Sequence, residues 1–71
     1  GMYIEQGDGV EIIHLHFPGL ERDDLSLRSE DGVLFVGVNG REHAIPTTSP
    51  AKASQVKAKL ENDILHLDVP L

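Results

Sequence analysis

Residues 31–45 read Asp31-Gly32-Val33-Leu34-Phe35-Val36-Gly37-Val38-Asn39-Gly40-Arg41-Glu42-His43-Ala44-Ile45. Asp-Gly and Asn-Gly are strong signals for a two-residue hairpin, because both central residues of that turn need a positive φ. Between them Val33 to Val38 is apolar except at Gly37, so it reads as the most central strand of the chain. Arg41 to Ile45 is its return strand, ended by Pro46, which has no N–H to give a ladder. On the other side Leu25-Ser26-Leu27-Arg28-Ser29 alternates, with Leu25 and Leu27 pointing inward.

The same reading extends in both directions. Upstream, Val10 to Phe17 puts Ile13, Leu15 and Phe17 on one face and Ile12, His14 and His16 on the other. Pro18-Gly19 stops that strand, and Glu21 to Asp24 is a charged connector. Tyr3-Ile4-Glu5 forms a short first strand, joined to Val10 through Gln6-Gly7-Asp8-Gly9. Downstream, Thr47 to Ser54 reads as a surface loop. Gln55 to Leu60 alternates, with Val56, Ala58 and Leu60 inward and Lys57 and Lys59 outward. Asn62-Asp63 turns the chain into Ile64 to Val69, whose core face is Leu65, Leu67 and Val69. No window carries a helical period, and there is no internal repeat. The expected fold is all-β, a seven-stranded antiparallel β-sandwich of immunoglobulin-like type.

Composition bounds what such a domain does. The chain has 71 residues, enough for one domain over residues 2–71, and Gly1 before Met2 reads as an expression-tag remnant. A chain this short buries only about 60% of its unfolded surface, so it has one thin core and no cofactor is expected. Cysteine is absent, which points to a reducing, cytoplasmic setting. No apolar run reaches the roughly 18 residues of a membrane span, and no leader is visible before the first strand. Acidic residues number 12 against 6 basic ones, a net charge of −6 that disfavours nucleic acid and anionic lipid.

Candidate chemistry is sparse. His14 and His16 share a strand face, and His66 joins them if the last strand pairs with the second. These three are the candidate metal ligands; the alternative is that they are solvent-face residues. Asp23-Asp24 and Glu30-Asp31 lie at turns, where Asp bonds its own backbone, and no base or nucleophile accompanies them. Ser26, Ser29, Ser49 and Ser54 lack the strand-turn-helix setting of a hydrolase nucleophile. No catalytic residue is expected. The apolar surplus is more informative: Ile12, Val33, Phe35 and Ile64 face away from their strands' core sides. They either form an exposed contact patch or are covered by loop 47–54 or the N-terminal segment.

The order of turns resembles a known family. Leu15-His16-Phe17-Pro18-Gly19-Leu20, then Asp23-Asp24-Leu25-Ser26-Leu27, then Asp31-Gly32-Val33-Leu34-Phe35-Val36-Gly37 look like the first half of an α-crystallin domain, the domain of small heat shock proteins. Arg41 to Pro46 resembles that family's arginine, aromatic and Leu-Pro strand, with His43 at the aromatic position. Ala58 to Leu65 resembles its Ala-x-x-x-Asn-Gly-x-Leu signature, with Asp63 in place of glycine, and Val69-Pro70 matches its close. Gly37 to Arg41 is a tight hairpin where bacterial and plant members carry a long strand-swapping loop. The disordered N-terminal region and the Ile-x-Ile/Val tail of that family are also not seen in this sequence.

The shortened form is similar to the crystallin-like domain at the C-terminus of some ATPases of the arsenite- and anion-pump family. That likeness implies an accessory domain or partner of such an ATPase, or a minimal chaperone holding unfolded clients. The chain itself has no Gly-rich phosphate loop with Lys-Ser/Thr. The resemblance also implies a peptide groove between an edge strand around Leu25 and Leu27 and another around Val56 and Ala58. Loss of the swap loop leaves a monomer or a weak edge-to-edge homodimer as the expected state.

Overall fold

A computed structural model describes residues 1–71. The strands are β1 (Met2–Gln6), β2 (Val10–His16), β3 (Leu25–Glu30), β4 (Val33–Val38), β5 (Arg41–Ile45), β6 (Lys57–Glu61) and β7 (Ile64–Pro70). They make two antiparallel sheets, one in the order β1-β2-β7-β6 and the other β3-β4-β5. Short 3-10 turns at Arg22–Asp24 and Ala53–Gln55 are the remaining elements. No helix is long and apolar enough to cross a membrane.

Three of the four hairpins form on turn residues with positive φ at both central positions. Asp31 and Gly32 have φ of 51° and 81°, Asn39 and Gly40 51° and 80°, and Asn62 and Asp63 52° and 65°. Positive φ at both central positions matches the right-handed twist of the flanking strands. Once these turns close, register follows. Leu34 and Val36 on β4, Ile13 and Leu15 on β2, and Leu65, Leu67 and Val69 on β7 all turn to one side of their sheets. With Ile45 and Ala51 they form a single core shared by both sheets, as in a β-sandwich.

Several boundaries differ from the sequence reading. Phe17 lies beyond β2 and is half-buried at the margin of the core, its ring 6.0 Å from that of His43. β6 starts at Lys57 rather than Gln55, because Gln55 N–H bonds Lys52 O and Val56 N–H bonds Ala53 O, which coils the preceding residues. Loop 47–54 adjoins Val33 at the start of β4 and reaches the core. It plugs the core with Ala51, whose N–H donates to Gly32 O at 2.8 Å. Gly32 is needed there twice over: its φ is positive, and an added Cβ would sit 3.0 Å from Pro50 Cβ.

Candidate functional site

Each sheet has two edge strands, and on one side of the molecule the edges are β3 and β6. Between them lies a groove of about 360 Å³ lined by Leu25, Leu27, Ala58, Leu60, Leu65 and Leu67, with Arg22 at one end. The volume falls within the roughly 300–1,000 Å³ common for binding clefts. Towards the C-terminal end of β3, the 3-10 turn at Ala53–Gln55 is held by the Ala53 N–H bond to Ser29 Oγ at 2.8 Å. Five strand residues span about 16 Å, so the groove has room for a short extended segment.

Main-chain chemistry favours such a segment. In a two-residue hairpin, paired residues alternate between exchanging both backbone bonds and exchanging none. Counting from the Asp31-Gly32 turn, Leu25, Leu27 and Ser29 make no ladder bond to β4; the Leu25 N–H is taken by Arg22 O, while the N–H and C=O of Leu27 and Ser29 point outward. Counting from Asn62-Asp63, the same holds for Ala58 and Leu60 on β6. Leu27, Ala58 and Leu60, which line the groove with apolar side chains, therefore also present free backbone donors and acceptors to it.

Of the expected groove residues, Leu25, Leu27 and Ala58 line it. Ala58 faces inward and is exposed. Val56 corrects the expectation: it precedes β6 and packs half-buried against the core, and Leu60 takes the wall position expected of it. The coiling of residues 53–55 is the cause.

The expected apolar patch of Ile12, Val33, Phe35 and Ile64 does not form one surface. Ile12 and Ile64 lie on the outer face of the four-stranded sheet and Val33 and Phe35 on the outer face of the other, so the core separates the two pairs. Phe35 is capped by the Arg28 guanidinium, 4.4 Å from its ring centre. Arg28 is held by Glu42 through Nε at 2.5 Å and Nη2 at 2.8 Å, and by Glu30 through Nη1 at 3.2 Å. Those bonds hold the guanidinium above its ordinary range and the Glu42 carboxyl below its own. Ile12 tucks against the turn after β1, where a Cβ on Gly7 would lie 3.3 Å from it. Only Val33 is largely exposed.

The histidines divide. His14 and His66 are cross-strand partners on β2 and β7, with Nδ1 atoms 2.7 Å apart. His14 Nε2 bonds Glu5 Oε1 at 2.7 Å, and Tyr3 stacks on the ring at 4.2 Å. Because a carboxylate only accepts, His14 carries its proton on Nε2, and a neutral His14 receives the His66 proton at Nδ1. Both ring nitrogens of His14 are thus engaged within the sheet. His16 lies opposite Ile64, two pairs further along, and is exposed. No group of three or more ligating side chains forms.

Some of the remaining polar candidates have structural partners. Asp24 Oδ2 accepts from Glu21 N–H, Ser29 from Ala53, and Ser49 O from Thr47 Oγ1. Glu11 was missed from sequence. It occupies the apolar register of β2, is 2% exposed, and accepts both the N–H (2.9 Å) and the hydroxyl of Thr48. A charged residue two before Ile13 in an inward-facing register was the available signal. No protein-family model matches the chain, and no curated protein matches it.

Proposed function

We propose that this domain is a protein–protein interaction module of α-crystallin-like, immunoglobulin-like type, which takes an extended apolar segment into the β3–β6 groove. One observation carries this: apolar side chains and unpaired backbone groups of two edge strands converge on the same cleft. The order of sequence motifs supports the family reading. On that reading the domain is an accessory module or cytoplasmic partner of an arsenite- or anion-pump-type ATPase. A free-standing chaperone that holds unfolded clients would use the same groove, since both kinds of partner supply extended apolar chain.

Ala58→Arg tests the groove. Ala58 is exposed, so its replacement changes stability by no more than about 0.5 kcal/mol. It should nevertheless fill the cleft and abolish binding of a short alternating Val/Ile peptide, read by fluorescence anisotropy. Unchanged binding in Ala58→Arg contradicts the proposal. Suppression of a model client's aggregation, lost in the same variant, identifies the chaperone form. Stable co-purification with an ATPase domain, without that suppression, identifies the accessory form.

A further inference from the structure

The opposite side of the molecule carries a different open edge. β1 is the outer strand of the four-stranded sheet, and every one of its residues is exposed. Its apolar side chains are far from buried: Met2 is 45% exposed, Tyr3 61% and Ile4 42%. The bonds His16 N–H to Gly1 O and Gly7 N–H to Val10 O fix which residues of β1 face inward. By alternation Tyr3 and Glu5 exchange ladder bonds with His14 and Ile12, whereas Met2, Ile4 and Gln6 turn their N–H and C=O outward.

Edge strands of single-copy proteins are normally blunted by lysine, proline or other inward or edge charges. Each of the other three edges carries at least one cation. β6 carries Lys57 and Lys59, β5 carries Arg41 and Glu42 and is followed by Pro46, and β3 carries Arg28 and Glu30. β1 holds no cation and no proline, and its one charge, Glu5, is drawn to His14.

We infer that the free edge of β1 is a self-association surface, on which a second copy of this chain pairs its own β1 antiparallel about a two-fold axis between the two Ile4 residues. This register uses all outward groups: Ile4 exchanges bonds with the partner's Ile4, and Met2 with the partner's Gln6, about six main-chain bonds in all. It sets Ile4 side by side with its copy and Tyr3 beside the partner's Glu5. A register centred on Glu5 would oppose two carboxylates, which is unfavourable, so charge selects the alignment. The result is a continuous sheet of two four-stranded halves, with both β3–β6 grooves left open at its far edges. It is independent of what those grooves bind.

The test is the mass of the full chain in solution from about 10 μM to about 1 mM, a range that brackets weak dimers. The mass should rise from one chain towards two. Over the same range, hydrogen exchange at the amides of Ile4 and Gln6 should slow, while Tyr3 and Glu5, already bonded to β2, change little. Ile4→Pro removes a donor that faces solvent in the single copy, so the fold survives and the dimer is lost. Ile4→Lys keeps the N–H and places like charges at the axis, and it should also remain a single chain. Should Ile4→Pro not fold, Ile4→Lys and the wild-type amide pattern decide. A single-chain mass at about 1 mM, or a dimer that persists in Ile4→Lys, overturns the inference.

Discussion

Glu11 shows how one charged side chain is kept in an apolar register. Its two oxygens satisfy the backbone and hydroxyl of Thr48, tying the loop after β5 to the middle of the larger sheet. Glu11→Ala should cost about 1.5–3 kcal/mol in chemical denaturation, because hydrogen bonds to a charged group are lost. Asp63 is the opposite case, a non-glycine residue at φ 65°. Asp63→Gly should raise stability by up to about 1 kcal/mol, the relief of a left-handed side chain less the added freedom of the unfolded glycine. Glu42 gives the pH dependence. Arg28 holds its folded carboxyl below the ordinary value of 4.5, so the pair's contribution is present above that value and is lost as pH falls through the folded one. Glu42→Gln should flatten the acid limb of a stability-versus-pH profile and change little else, since the pair is solvent-exposed.

Strands were legible where local chemistry and burial agree. The Asp31-Gly32 and Asn39-Gly40 turns enclose β4, and the period of two in β7 placed Leu65, Leu67 and Val69 in the core. The start of β6 was not legible, because alternation continues through Val56 while the backbone coils at residues 53–55. The apolar patch failed for a related reason: period two tells which residues face away from the core, not which sheet they belong to. Val33 and Phe35 therefore could not be separated from Ile12 and Ile64 without the strand order. The histidine pair was half legible, since His14 and His66 depended on β2 lying beside β7, and the roles of Glu5 and Tyr3 on β1 adjoining β2. That row adds side-chain contacts to the ladder bonds that hold an otherwise exposed edge strand. His14→Ala removes the Glu5 bond and the Tyr3 stack, about 1–2 kcal/mol together, and should speed amide exchange at Tyr3 and Glu5 roughly tenfold.

At the scale of the whole molecule, the core is thin: 13 of 71 residues are buried. Leu67 is fully buried within it, and Leu67→Ala should cost about 2–5 kcal/mol, comparable with the whole stability of so small a domain. The expected outcome is loss of a cooperative thermal transition. Two sheets of unequal width leave edges on both sides, and the side with the apolar floor is the one assigned to partner binding. The most direct measurement is an amide-resolved NMR titration of the full chain with a short alternating Val/Ile peptide. Shifts should be confined to Leu27, Ser29, Ala58 and Leu60, and should be absent in Ala58→Arg. Shifts centred on β1 or on the His14–His66 row, or saturable binding that leaves those groove amides unmoved, would contradict it.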